Sequence, residues 1–278
     1  MSILYLLGVF TLETKVILAT GPRDLAQAYA FARSGYSATS IAHMAYKVGP
    51  DLRLFRANIP LSLQGGFLML SEGEADSYDP TSASPDTLAS EVIRECIHRG
   101  FQGVVLTFTQ NCPALHEFTK ILAKRLHAQG AALFLPEHYA IHSDFAKILV
   151  PTAISGGSLT ARLSELISHY GAKRLCLDIE RVRMDFCLPS ERGEGRKLSA
   201  DALYELTQTM APHTYFSQDL CAYYFTYQNT DGSHFVLYDD SGSIRKKLFL
   251  AEKLGIEHAL LLYPEVEEIL HQVTHNRY

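Results

Sequence analysis

The chain contains no tryptophan, so its aromatic surface rests wholly on 15 Tyr and 14 Phe. It has no surplus of positive charge either. Lys and Arg total 25 against 30 Asp and Glu, a formal net charge of −5. Nucleic-acid binders ordinarily carry a basic surplus, so that class of partner is not expected. No apolar run approaches the roughly 20 residues needed to cross a bilayer, so a membrane role is not expected. The run Ile3–Phe10 has no Lys or Arg ahead of it and no small-x-small site close behind, which favours a strand over a signal peptide. The cysteines, Cys96, Cys112, Cys176, Cys187 and Cys221, are odd in number and show neither CxxC nor Cys/His zinc spacing. They read as reduced, buried thiols in a cytoplasmic protein, with no structural metal. No GxGxxG or GxxxxGK[ST] follows a strand-like run, which removes the usual dinucleotide and phosphate-loop readings; no cofactor is expected.

What the chain does have is length and alternation. Its 278 residues are 47% hydrophobic and 20% charged, a globular mixture that sets aside disorder and supports one domain over residues 1–278. Short apolar runs alternate with amphipathic ones. Strand-like runs are VILAT (16–20), SIAHMAYKV (40–48), GFLML (66–70), GVVLTF (103–108), AALFL (131–135), 147–150, RLCLDIE (174–180) and ALLLY (259–263). Helical spacing covers 24–33, 87–99, 114–129, 159–169, 200–210 and 243–254. Residues 72–86, rich in Asp, Ser and Pro, read as a loop. About eight strand–helix repeats favour a closed α/β barrel, the (β/α)8 TIM barrel, over an open sheet. The aromatic, period-two stretch 214–240 breaks the alternation and reads as a β-hairpin inserted before the last helix, turning at Asp231–Gly232.

Two blocks carry a resemblance. RGFQGVVLTFTQNCPALHEFTKILAKRLHAQGAALFLP resembles the fourth strand, fourth helix and fifth strand of family 18 glycoside hydrolases, the chitinases and spore cell-wall hydrolases. Gly100, Phe101, Gly103, Val104, Leu106 and Phe108 match the strand frame, and Leu126, His127 and Gly130 match the helix end. YDDSGSIRKKLFLAEKLGIEHALLLY resembles the family's closing segment. The resemblance implies a barrel acting on amino-sugar glycans, with a sporulation link in the branch it is most similar to.

The family's catalytic residues are missing. Family members place Asp, Asp and Glu at alternate positions of the fourth strand, all facing the barrel mouth. The Glu protonates the leaving oxygen, and the middle Asp steadies the substrate acetamido group in the substrate-assisted route. Here those positions are Val105, Thr107 and Thr109, followed by Gln110, and none is an acid near neutral pH. The sixth-strand Tyr-Asp pair is replaced by Ala153 and Ile154, and the eighth-strand Trp gives way to Leu262–Tyr263. A pseudoenzyme that binds a carbohydrate or a protein partner is the expected reading.

Other polar groups offer an alternative hydrolase. Period two puts Cys176, Asp178 and Glu180 on the barrel-facing side of the seventh strand. Asp178 and Glu180 then stand where barrel active sites lie, or form a salt-bridge network with Arg181 and Arg183. Glu137, with His138, ends the fifth strand and either approaches Glu180 as a second carboxylate or pairs with Arg181 or His138. Expected ligand contacts are Thr107, Thr109, Gln110, Glu137, His138, Asp178, Glu180, Arg181 and Tyr263. His43, Tyr46 and Glu72 are within reach of the same mouth. A barrel filled by its own side chains, serving only as an interaction scaffold, is the third reading.

Overall fold

A computed structural model describes residues 14–34, 39–57, 64–73, 84–189 and 195–275. Ile3–Phe10 lies outside them. Eight parallel strands form the barrel: β1 (Lys15–Thr20), β2 (Thr39–Val48), β3 (Phe67–Glu72), β4 (Gly103–Leu106), β5 (Ala132–Pro136), β6 (Lys147–Pro151), β7 (Leu175–Ile179) and β8 (His258–Leu262). Each pairs with its neighbours in sequence, and β1 pairs with both β2 and β8, which closes the ring. The helices are α1 (Leu25–Arg33), α2 (Pro85–Arg99), α3 (Pro113–Ala128), α4 (Leu159–Tyr170), α5 (Ala200–Met210), α6 (Ser241–Leu254), α7 (Tyr263–Val266) and α8 (Leu270–His275). After β5 the chain makes only a 3-10 helix, Glu137–His142.

Alternation along the strands builds two cores. Residues such as Val16, Leu18, Val104, Leu106 and Phe108 point outward and pack under the helices. Ile17, Ala19, Phe67, Met69, Val105, Phe134, Leu149, Cys176 and Leu260 point inward and fill the lumen. Each large aliphatic side chain so buried contributes about 1.5–3 kcal/mol. Gly103 has a steric reason: a Cβ there would collide with the Ala132 carbonyl of β5. α2 starts where the Ser84 hydroxyl accepts from the Thr87 amide, and stops at Gly100 in the left-handed conformation at φ 64°. Ser155–Ser158 is a turn into α4, whose N-cap is Ser158.

The interruption is larger than a hairpin. The hairpin is present, as strands Ala222–Asn229 and Gly232–Tyr238. Its turn residues are Thr230 and Asp231, since Asn229 pairs with Gly232. Arg183–Leu188, Arg196–Lys197 and Tyr215–Ser217 join it in a five-stranded antiparallel sheet between β7 and α6. α5 packs on this sheet through Ala202, Leu203 and Leu206 against Leu198, Phe225 and Val236, rather than on the barrel. Local periodicity identified α5 as a helix but carried no information about which sheet it covers.

Candidate functional site

The C-terminal ends of β4 and β3 meet at a shared edge. Val105 is fully buried in the lumen, and parity puts Thr107 on the same side. The Thr107 amide donates to the Leu70 carbonyl at 3.0 Å, continuing the strand pairing one step past β4. Thr109 is exposed, and both its amide and its hydroxyl donate to Glu72 Oε1, at 2.7 and 2.5 Å. Glu72 Oε2 is buried with no hydrogen-bond partner. Thr107 lines a cavity of about 380 Å³ with Met44, Tyr46, Phe55, Met69 and Ser71. Gln110 uses its carbonyl to accept from the Tyr139 hydroxyl at 2.7 Å.

The fifth-strand candidates do not converge on Glu180. Glu137 lies in the 3-10 helix after β5 and pairs with Arg162 of α4 at 2.9 Å. His138 is exposed beside the Tyr139 ring, 4.5 Å between centroids. Three other positions face the helices. Tyr263 is buried in the outer core, its hydroxyl 3.2 Å from Glu267 Oε1, and Leu262 takes the lumen side. Burial and the Glu267 carboxylate push the Tyr263 phenol up to about 12. His43 is buried outside the barrel between the Tyr29 hydroxyl and the Gly65 carbonyl, and burial lowers its pKa. The Tyr46 hydroxyl donates to Glu95 of α2. For Tyr263 the reason is parity: Leu260 points inward, so Leu262 does too, and α7 begins at the next residue.

The seventh strand behaves as period two requires. Leu175, Leu177 and Ile179 lie in the outer core and Cys176 in the lumen. Asp178, half-buried, follows Cys176 on the inner side and pairs in register with Leu260. Its carboxyl is pushed up to about 7, first by burial and then by the negative charges of Glu180 and Glu265. Glu180 is exposed at the strand end. Arg181 is tied down: it donates to Glu268 at 2.5 Å, to the Glu265 carbonyl at 3.0 Å and to the Asp239 carbonyl at 3.3 Å. Glu265 accepts from Lys197 at 3.0 Å and from the Arg181 amide at 3.3 Å. A cavity of about 250 Å³ opens here, lined in part by Glu180, Arg181, Arg183, Lys197 and Glu265.

Glu265 and Lys197 line this cavity and pair with each other, and sequence reasoning did not single them out. Glu265 was within reach of it, because residues just after a barrel strand sit at the mouth and Glu265 follows β8. Lys197 had no such signal; the antiparallel pairing of Arg196–Lys197 with Met184–Asp185 brings it in. The histidines give a pair at most: His116 Nδ1 lies 2.6 Å from His142 Nε2, and burial lowers the pKa of both. Among the described residues no group of three His, Cys, Asp or Glu side chains could hold a metal ion. All five cysteines are free.

A closed barrel with an antiparallel insertion after its seventh strand and a mouth at its strand ends is a family 18 glycoside hydrolase-like fold, and solved structures of that class superpose on this chain. The Bacillus cereus spore cortex-lytic enzyme SleL matches with TM-score 0.66 at 15% identity, over 91% of this chain and 72% of that one. A glycoside hydrolase family 18 N-acetylglucosaminidase from Paenibacillus barengoltzii matches with TM-score 0.63 at 14% identity, over 94% and 98%. A point mutant of class V chitinase from Nicotiana tobaccum, in complex with NAG4, matches with TM-score 0.60 at 12% identity, over 89% and 92%. No family model and no curated protein matches the sequence.

Proposed function

We propose that this protein is a glycan-binding barrel that has lost the hydrolytic machinery of its fold class. The observation that carries the reading is the end of β4: the residues where the fold class places its acids are Val105, Thr107 and Thr109. Val105 is buried among apolar side chains in the lumen, and Thr109 uses both its donors on Glu72. A general acid must hold a proton at a pKa near the working pH, and neither Thr hydroxyl does. Two cavities at the strand ends, of about 380 and 250 Å³, leave room for ligand. The tobacco chitinase solved with NAG4 supports a carbohydrate occupant. A sporulation-linked role is proposed on the likeness to SleL alone, and a cytoplasmic location on the five free thiols.

One observation favours a second reading. An Asp178 carboxyl at about 7 is poised to give up a proton at neutral pH, as the acid of a glycosidase must. Glu180 would be the second carboxylate; Glu137, paired with Arg162, takes no part. Calorimetry with chitotetraose, run beside a turnover assay on a chromogenic chitobioside, separates the two. Binding without turnover is the expected result. Turnover abolished by Asp178→Asn overturns the non-catalytic reading, and absence of any sugar binding overturns the glycan reading.

A further inference from the structure

Of the cations lining the smaller cavity, Arg183 makes no ion pair or side-chain hydrogen bond with a described residue, and Glu265 and Glu268 act on it only through their charge. Arg181 is spent on Glu268 and on two carbonyls, and Lys197 on Glu265. The Arg183 side chain pairs with none of the described residues, and its Nε is buried with no acceptor. A guanidinium stays charged at any working pH and presents a planar fork of donors that matches a carboxylate. Leaving such a group desolvated and unpaired is unfavourable, so an anion brought to it is favoured. Burial first, and then the neighbouring Arg181 charge, lower the Arg183 pKa, and the charges of Glu265 and Glu268 offset only part of that shift.

The rest of the cavity says what the anion is attached to. At about 250 Å³ it exceeds what a bare ion needs, since a water's share of liquid is about 30 Å³. Glu180 also lines the cavity, is exposed and makes no hydrogen bond or ion pair with a described residue; an ionised carboxylate only accepts. Ile154, Val182, Met184, Phe186 and Leu237 supply the apolar part of the lining. The lining thus offers a guanidinium for an anion, a carboxylate for hydroxyl donors and apolar surface for a sugar ring.

We propose that this cavity binds a sugar bearing a carboxylate, with the carboxylate on the Arg183 guanidinium and sugar hydroxyls donating to Glu180. The proposal rests on the glycan-binding reading and narrows it to acidic sugars at this end of the mouth.

The test uses matched pairs that differ in the acid: glucuronic acid against glucose, and N-acetylmuramic acid against N-acetylglucosamine. Affinities are read by ligand-detected NMR titration of the full chain, with chitotetraose as the neutral oligosaccharide. The acidic member of each pair is expected to bind about ten- to hundredfold more tightly, the range for a hydrogen bond to a charged group. Arg183→Gln should erase that preference and Arg183→Lys should keep part of it, with thermal melts checking that both variants fold. Equal affinity within the pairs overturns the proposal whatever the variants do, and so does a preference that survives Arg183→Gln in a folded protein. If chitotetraose binds while the acidic sugars gain nothing, only this proposal falls. If no sugar binds, the glycan reading falls with it.

Discussion

Lys247 Nζ lies 2.6 Å from Asp239 Oδ2, and neither side chain is exposed to solvent. The pair joins α6 to the strand end that leaves the inserted sheet. Asp239 also accepts from the Val182 amide at 3.1 Å and the Ser243 hydroxyl at 2.6 Å. One carboxylate thus pins the start of the insertion, its end and the first turn of the next helix. Asp239 belongs to the Tyr-Asp-Asp segment that suggested the fold class, and here its role is architectural.

Lys247→Met should therefore destabilise the protein by about 3–5 kcal/mol, because it strands a buried carboxylate while filling the space of the lost stem. Urea denaturation measures it. A change below about 1 kcal/mol would mean that the pair is hydrated in solution.

Asp178 predicts a pH dependence. Its folded pKa, about 7, is above the unfolded value near 4. The folded state therefore binds the proton more tightly, and the stability this contributes is full below about pH 4 and lost as pH rises through about 7. Asp178→Asn should flatten that fall and raise the melting temperature relative to wild type at pH 8 more than at pH 4. Melting curves across this range check it; parallel curves for the two proteins would remove the raised pKa.

Thr109→Glu alone should restore almost no hydrolysis. The new carboxyl would meet Glu72, which now holds Thr109 at 2.5 Å, and two like charges there oppose each other. It would also lack an acid at position 107 and an aromatic floor at Leu262. A positioned acid is worth about 100- to 10,000-fold only when substrate is already held in reactive geometry. Val105→Asp, Thr107→Asp and Thr109→Glu together should give at most a trace of chitobioside turnover. Strong activity from the single variant would show an intact sugar subsite.

Glu137→Gln should change stability by less than about 1 kcal/mol, since its partner Arg162 is 43% exposed and surface pairs contribute little. Glycan affinity should be unchanged in the same variant. A large loss of affinity in calorimetry would return Glu137 to the site.

Much of the barrel was legible because inward and outward residues alternate along each strand. RLCLDIE announces its faces by residue type alone: Leu, Leu and Ile lie under helices, with Cys and Asp inside. The register of Val105 was readable for the same reason: it faces the lumen, and Leu106 and Phe108 face the helices. Tyr263 follows the same alternation, facing outward with Leu261 while Leu260 and Leu262 face the lumen, so its expected place among the ligand contacts ran against the pattern. The size of the insertion was not legible, because its two edge strands are three and two residues long, too short to show a period.

The sequence by itself determined the alternation of strands and helices and the residue types at Val105, Thr107 and Thr109, because each is read from residue type and local spacing. Closure of the ring is made by β1 pairing with β8, which sets Lys15 opposite the distant His258. Only the tertiary structure decided the charge pairing at the mouth. Glu265 reaches Arg181 across 84 residues and Lys197 across 68, and Glu137 finds Arg162 across 25. Those distances are set by how β7, β8 and the inserted sheet meet, and no local pattern encodes them. That meeting leaves the Arg183 Nε buried with no hydrogen-bond partner, a fact about geometry that composition could not contain.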